Sequence, residues 1–179
     1  MKRAVFLDRD GVLNRSDLVN GIPTPPIRVK EVEILDGVIE AIQMIKDCDF
    51  FPIVVTNQPD VARRVITQES VEEINRYLGS ELGIEHFFTC FHDDLDECDC
   101  RKPKPGLLQT AADRLNINLS KSFMIGDRWR DIEAGQSAGC YCFLIDSNYK
   151  EKSPKLPFVR VTSLLEAARL ILESTDDFN

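Results

Sequence analysis

Apolar positions along the chain fall into short continuous runs at 4–7, 50–55, 86–91, 122–125 and 141–145. Runs of this length, rich in Val, Ile, Phe and Leu, predict buried strands. Between them the apolar spacing changes to that of helices. Val38, Ile39, Ile42 and Ile45 share one face over 37–47, with Asp36 as the expected cap. Ile74, Tyr77, Leu78 and Leu82 form a second stripe, opened by Thr67 or Ser70 and stopped by Gly83. A third helix follows Pro103, Pro105 and Gly106 and runs through Leu115; a short fourth covers 129–138; Thr162 or Ser163 caps a fifth over 164–173. Residues 9–30 are expected to be irregular, because Gly21, Pro23, Pro25 and Pro26 interrupt any pattern. Residues 174–179 are expected to fray. Strands alternating with helices predict one α/β domain over 1–179, with a parallel sheet covered by helices on both faces.

In such sheets ligands sit beyond the C-terminal ends of the strands. The first run ends in Asp8-Arg9-Asp10-Gly11, the second in Thr56-Asn57 and the fourth in Gly126-Asp127. Acids crowded at the end of a buried strand are costly without a cation or a shared proton. Asp8, Asp10 and Asp127 together suit a hard, oxygen-seeking ion such as Mg²⁺. The segment Arg101-Lys102-Pro103-Lys104-Pro105-Gly106 adds positive charge. A cation, a lysine, a hydroxyl and an amide are what a phosphoryl group needs in transfer.

Charge and cysteines narrow the reading. A net charge of −8 over 179 residues argues against a nucleic-acid surface. It leaves room for a small anionic substrate, since a few cations in a cleft outweigh the global sign. No apolar run approaches the roughly 18 residues of a membrane span, and no signal-peptide pattern is visible, so the cytoplasm is expected; a compact domain of this type is expected to be a monomer. Of six cysteines, Cys48, Cys140 and Cys142 lie in apolar contexts and are expected as buried thiols. Cys90, His92, Cys98 and Cys100 cluster with the spacing of a closed structural Zn²⁺ site. Zinc there would tie the 90–100 loop and thereby place Arg101 and Lys102.

Taken in order, these motifs resemble the haloacid dehalogenase superfamily of phosphotransferases. Asp8-Arg9-Asp10-Gly11 is similar to its first motif, Thr56-Asn57 to its second, Lys102 to its third, and Gly126-Asp127 with Asp131 to its fourth. The resemblance implies Asp8 as nucleophile, and Asp10 as acid for the leaving group and then base for water. Thr56 and Lys102 would steady the phosphoryl group. Asp8, the Asp10 backbone carbonyl and Asp127 would hold Mg²⁺, with Asp131 serving the helix start rather than the ion. The zinc loop followed by Cys-x-Cys-Arg-Lys-Pro resembles the subgroup of heptose bisphosphate and histidinol-phosphate phosphatases. That implies an Mg²⁺-dependent phosphomonoesterase, with a heptose bisphosphate as first expectation and histidinol phosphate as second. Asn57, Arg63, Arg101 and Arg128 are the substrate-binding candidates, and Arg64 a further one. The chain departs from the subgroup at Pro59-Asp60, at Arg64 where a glycine is usual, at Val12 where a threonine is usual, and over 18–26. With no room for a large cap domain, the 15–26 loop and the zinc loop are expected to close the site.

Overall fold

A computed structural model of the chain describes residues 1–19, 22–147 and 149–175. In chain order the elements are β1 (Arg3–Leu7), β2 (Asp17–Val19), β3 (Ile22–Thr24), α1 (Val38–Asp47), β4 (Phe50–Asn57), α2 (Gln68–Leu82) and β5 (His86–Cys90). They continue with α3 (Gly106–Leu115), β6 (Phe123–Gly126), α4 (Trp129–Ala138), β7 (Tyr141–Ile145), β8 (Val159–Val161) and α5 (Leu164–Thr175). Among the described residues no helix is long and apolar enough to cross a membrane.

Six strands form one sheet in the order β5-β4-β1-β6-β7-β8, and every neighbouring pair is parallel. Side chains alternate across it. Val5 and Leu7 of β1 join Val54, Ile125 and Phe143 in a core under α1, α2 and α5. Ala4 and Phe6 point the other way, to Ile53, Val55, Met124 and Leu144, beneath α3 and α4. The strands are apolar on both faces because both faces are covered. The chain winds outward from β1 through β4 to β5, then returns to β6 on β1's other side. The strand order therefore reverses between β1 and β6, where a crevice opens at their C-terminal ends. Leu7 lies opposite both Val54 and Ile125, so Asp8 leaves the sheet level with the end of β6, while β4 runs on to Asn57.

Four expectations change. Residues 17–24 are not irregular: β2 and β3 pair as an antiparallel ribbon with Pro23 opposite Leu18. A two-stranded ribbon has two free edges, so proline's missing N–H costs it little. β8 was not foreseen. Gly37, not Asp36, stands at the N-cap of α1, at φ 77° and with no side-chain cap. A Cβ there would come within 3.1 Å of Leu165 Cδ2, so the α1–α5 contact favours glycine. Finally, α5 runs to Thr175, two residues past its expected end at 173; residues 176–179 of the tail expected to fray lie outside the described residues. Elsewhere Thr67 caps α2 by accepting from the Ser70 amide, and Gly83 ends it in the left-handed region.

Candidate active site

Asp8 and Asp127 extend from the ends of β1 and β6, and Asp131 lies in the first turn of α4. One carboxylate oxygen from each falls within 4.8 Å of the others. Lys102 reaches into this group from the chain before α3. Its Nζ lies 2.9 Å from Asp8 Oδ1 and 2.6 Å from Asp131 Oδ1, and it donates to the Val55 carbonyl at 2.8 Å. All three ammonium donors are thus used, in a side chain only 1% exposed. Burial opposes the charge on Lys102, but Asp131 and Asp8 outweigh it and hold the ammonium above the ordinary lysine range. The acids are less well served. Burial, assisted by repulsion from Asp131 and Asp10, pushes the Asp8 carboxyl up to about 6 despite Lys102. Burial and repulsion from Asp8 and Asp131 push Asp127 well above the carboxylate range.

The three acids outnumber the one buried cation among them, and their free oxygens show where another would go. Asp131 is fully engaged, with Oδ1 on Lys102 and Oδ2 accepting from the Arg128 amide at 3.0 Å. Asp127 Oδ2 accepts from the Tyr149 hydroxyl at 2.9 Å. Asp127 Oδ1 is buried and has no hydrogen-bond partner. A buried orphan acceptor beside two further carboxylates fits a hard divalent cation. Asp8 and Asp127 are the side chains available to hold one.

Asp10 is close by in sequence but differently placed. Its carboxylate accepts from the Arg9 guanidinium at 2.9 and 3.2 Å, from Asn14 Nδ2 at 3.0 Å and from Gln58 Nε2 at 2.8 Å. Arg9 is 0% exposed, and its Nη1 donates to Asn75 of α2 at 3.0 Å. Asn75 in turn donates to Thr89 at 3.2 Å. The side chain of Asp10 is thereby fixed outside the three-acid group. Gln58 also donates to Thr56 Oγ1 at 2.9 Å, which leaves the threonine's own proton free to donate. Sequence reading assigned no role to Arg9, Asn14, Gln58 and Asn75, although Arg9 lies within the first motif and Gln58 directly follows the second.

Asn57 is occupied differently from the expectation. Its amide donates to the Lys102 carbonyl at 3.0 Å and accepts from the Lys102 N–H at 3.1 Å. It clamps the lysine's backbone instead of presenting a free amide to solvent. Arg63, Arg101 and Arg128 do line one cavity of about 240 Å³ with Asp8, Asp10, Lys102 and Asp127. Each already has an acid. Arg63 grips Asp93 at 2.7 and 2.8 Å. Arg101 donates to Asp94 at 2.8 Å and to the His92 carbonyl at 3.2 Å. Arg128 pairs with Glu151. Arg130, which sequence reading passed over, lies on the same wall and shares Asp94 with Arg101 at 3.2 Å. Pro23 of β3 and Pro25 just after it also line the cavity. Arg64 adopts φ 61°, the left-handed region that costs an L side chain roughly 1–2 kcal/mol. That backbone conformation is one a glycine would adopt without strain.

Cys90, His92, Cys98 and Cys100 converge as the spacing predicted. The Sγ–Sγ distances are 3.7 Å for Cys90–Cys98 and 3.5 Å for Cys98–Cys100. His92 Nδ1 lies 3.5 Å from Cys90 Sγ and 3.3 Å from Cys100 Sγ. Zinc bond lengths of about 2.3 Å to sulfur and about 2.0–2.1 Å to nitrogen give tetrahedron edges of roughly 3.8 and 3.6 Å. The cluster is compatible with zinc on this count, and all four residues are unlinked by disulfides. Arg101 and Lys102 follow its last member directly.

Comparison with known proteins agrees with this geometry. A family model described as haloacid dehalogenase-like hydrolase matches residues 19–139. The D-glycero-beta-D-manno-heptose-1,7-bisphosphate 7-phosphatase of Pasteurella multocida (strain Pm70) is 34% identical over 149 residues, covering 77% of this chain and 78% of its own. The protein of the same name from Escherichia coli (strain K12) is 34% identical over 147 residues, covering 75% of this chain and 74% of its own. A crystal structure of D,D-heptose 1,7-bisphosphate phosphatase from B. bronchiseptica, complexed with magnesium and phosphate, matches with a TM-score of 0.83 at 27% identity. It spans 96% of this chain and 99% of that one.

Proposed function

The chain belongs to the haloacid dehalogenase-like hydrolases, and on that footing we propose that it is a phosphatase removing the 7-phosphate from a D-glycero-D-manno-heptose 1,7-bisphosphate. One observation carries the substrate reading. Lys102, beside the acids that would hold a cation, and the arginines Arg101, Arg128 and Arg130 line a single cavity, which suits a small molecule with an anionic group at each end. The curated relatives named above bear that activity in their names.

In this reading the Asp8 carboxylate attacks phosphorus, and the bond from phosphorus to the sugar oxygen breaks as Asp10 delivers a proton to that oxygen. The aspartyl-phosphate so formed is then cleaved by water, whose proton returns to Asp10. One difficult step becomes two easier ones. The cage of Arg9, Asn14 and Gln58 keeps Asp10 aimed away from Lys102 and the other acids. Lys102 and the Thr56 hydroxyl face the charge gathering on the phosphoryl oxygens. A Mg²⁺ ion held by Asp8 and Asp127 supplies further positive charge when bound. Zn²⁺ on Cys90, His92, Cys98 and Cys100 holds the loop that ends in Arg101 and Lys102.

The test is catalytic efficiency across both heptose bisphosphate anomers, the heptose 7-monophosphate and histidinol phosphate. One heptose bisphosphate anomer is expected to exceed histidinol phosphate by at least about 100-fold, the worth of one or two charge-assisted hydrogen bonds. Equal or better use of histidinol phosphate overturns the substrate.

The acids also predict how Mg²⁺ stabilises the fold. In the metal-free protein, Asp8 at about 6 and Asp127 above its ordinary value bind protons more readily than in the unfolded chain. The stability tied to those protons is complete below about pH 4 and is lost as pH rises through about 6 for Asp8, and higher for Asp127. A divalent cation offsets that loss only where the acids are ionised. Saturating Mg²⁺ is therefore expected to raise the melting temperature by about 5 °C more at about pH 7.5 than at about pH 5. The same gain at both values in a thermal scan counts against this site.

A further inference from the structure

Residues 149–152, on the chain after β7, run back over the start of α4 and touch three consecutive residues there. The Tyr149 hydroxyl donates to Asp127 Oδ2 at 2.9 Å. Glu151 pairs with Arg128. Lys152 Nζ lies 3.6 Å from the centroid of the Trp129 ring and 3.0 Å from Glu133 Oε1. Beside the same oxygen, Gly11 sits at φ 86°, and a Cβ there would meet Asp127 Oδ2 at 1.9 Å and the Tyr149 hydroxyl at 3.3 Å. The phenol and the bare glycine backbone thus both border Oδ2, while Oδ1 is buried and unpartnered.

We propose that Tyr149 is a positioning residue for the cation: its hydroxyl holds Asp127 Oδ2, so that Oδ1 stays turned into the acid cluster. The proposal rests on the reading of Asp8 and Asp127 as cation ligands. An unrestrained Asp127 beside Asp8 and Asp131 would lower its repulsion by rotating out of the cluster. The hydroxyl opposes that rotation, because Oδ2 would lose the hydrogen bond it accepts from Tyr149. Gly11 is required for the same reason, since any larger residue would occupy the space of Oδ2. A hydrogen bond to the outer oxygen of a ligating carboxylate both aims it and restricts it, and such partners carry about 10-fold to 100-fold in metal affinity.

The experiment is calorimetric titration of MgCl₂ alone into the metal-stripped full chain with its structural site refilled by zinc. Three proteins are compared: wild type, Tyr149→Phe, which keeps the ring and deletes the donor, and Lys152→Ala, which loosens the segment from Trp129 and Glu133 but keeps the phenol. Tyr149→Phe is expected to weaken Mg²⁺ binding about 10-fold and to raise the Mg²⁺ concentration for half-maximal phosphate release in step. Lys152→Ala is expected to bind within about twofold of wild type. Wild-type affinity in Tyr149→Phe overturns the role of the hydroxyl. Equal weakening in both variants also overturns it, because it makes the segment's folding, not the hydrogen bond, the cause. Absence of Mg²⁺ binding in the wild type overturns the cation reading on which the proposal rests, and so separates the two failures.

Discussion

Asp8→Asn is expected to lower phosphate release by at least about 10⁴-fold while leaving the fold as stable as before. The loss follows from the chemistry: asparagine is close in shape to aspartate but offers no charged oxygen to phosphorus, and removal of a covalent catalyst typically costs about this much. The stability follows from the electrostatics. Burial already pushes the Asp8 carboxyl up to about 6, so its ionised form is a burden in the metal-free protein. A neutral isostere removes the repulsion with Asp127 and Asp131. Lys102 is not stranded, because Asp131 Oδ1 at 2.6 Å and the Val55 carbonyl at 2.8 Å remain. The metal-free variant should therefore melt no lower than the wild type. Activity within about tenfold of wild type would remove Asp8 as the nucleophile. A large fall in melting temperature would contradict the reading of the cluster as repulsive.

The parallel sheet was legible because buried strands leave an unmistakable trace. Ala4-Val5-Phe6-Leu7 has no polar position, since both of its faces are covered. The site was legible for a related reason: polar residues at those strand ends have one common edge to share, so Asp8, Thr56 and Asp127 had to approach one another. The convergence of Cys90, His92, Cys98 and Cys100 was legible from spacing alone, because four such side chains within 11 residues, 90–100, limit their own separation. What escaped depends on contacts that periodicity does not encode. β8 has three residues, of which only Val161 is buried, too few to show alternation. Pro23 argued against a strand, although a two-stranded ribbon accommodates it. The arginines read as a basic wall because their partners are remote: Glu151 lies 23 residues from Arg128, and Asp94 serves Arg101 from within the zinc loop. Tyr149 carries no local signal, since its contact with Asp127 exists only once the chain after β7 has folded back over α4.

Removing the ion from the cysteine cluster is the second large effect, and it follows from what the zinc loop lacks. Between β5 and α3 the chain offers little apolar surface to bury; Leu95, within a short 3-10 turn, is 93% exposed. Its side chains are held mostly by charged pairs at the surface, such as Arg63–Asp93 and Lys104–Asp99, each worth at most about 1 kcal/mol. Four metal bonds would dominate that total, since structural zinc binding reaches about 10–16 kcal/mol in small peptides. Chelation, or Cys98→Ser, is therefore expected to lower the melting temperature by about 10 °C or more for a domain of this size. Its effect on catalysis should be larger than that number suggests. Lys102 follows the last ligand by two residues, and its backbone is clamped to Asn57 at 3.0 and 3.1 Å. A loosened loop pulls against that clamp and withdraws the ammonium from Asp8. Misplacement of about 1 Å at a reacting group costs on the order of 10²-fold, so phosphate release should fall by at least that factor. Elemental analysis should find zinc in proportion to protein, and zinc but not magnesium should restore the chelated enzyme. If chelation lowers the melting temperature but leaves the rate intact, the Asn57 clamp alone positions Lys102, and the metal serves stability only.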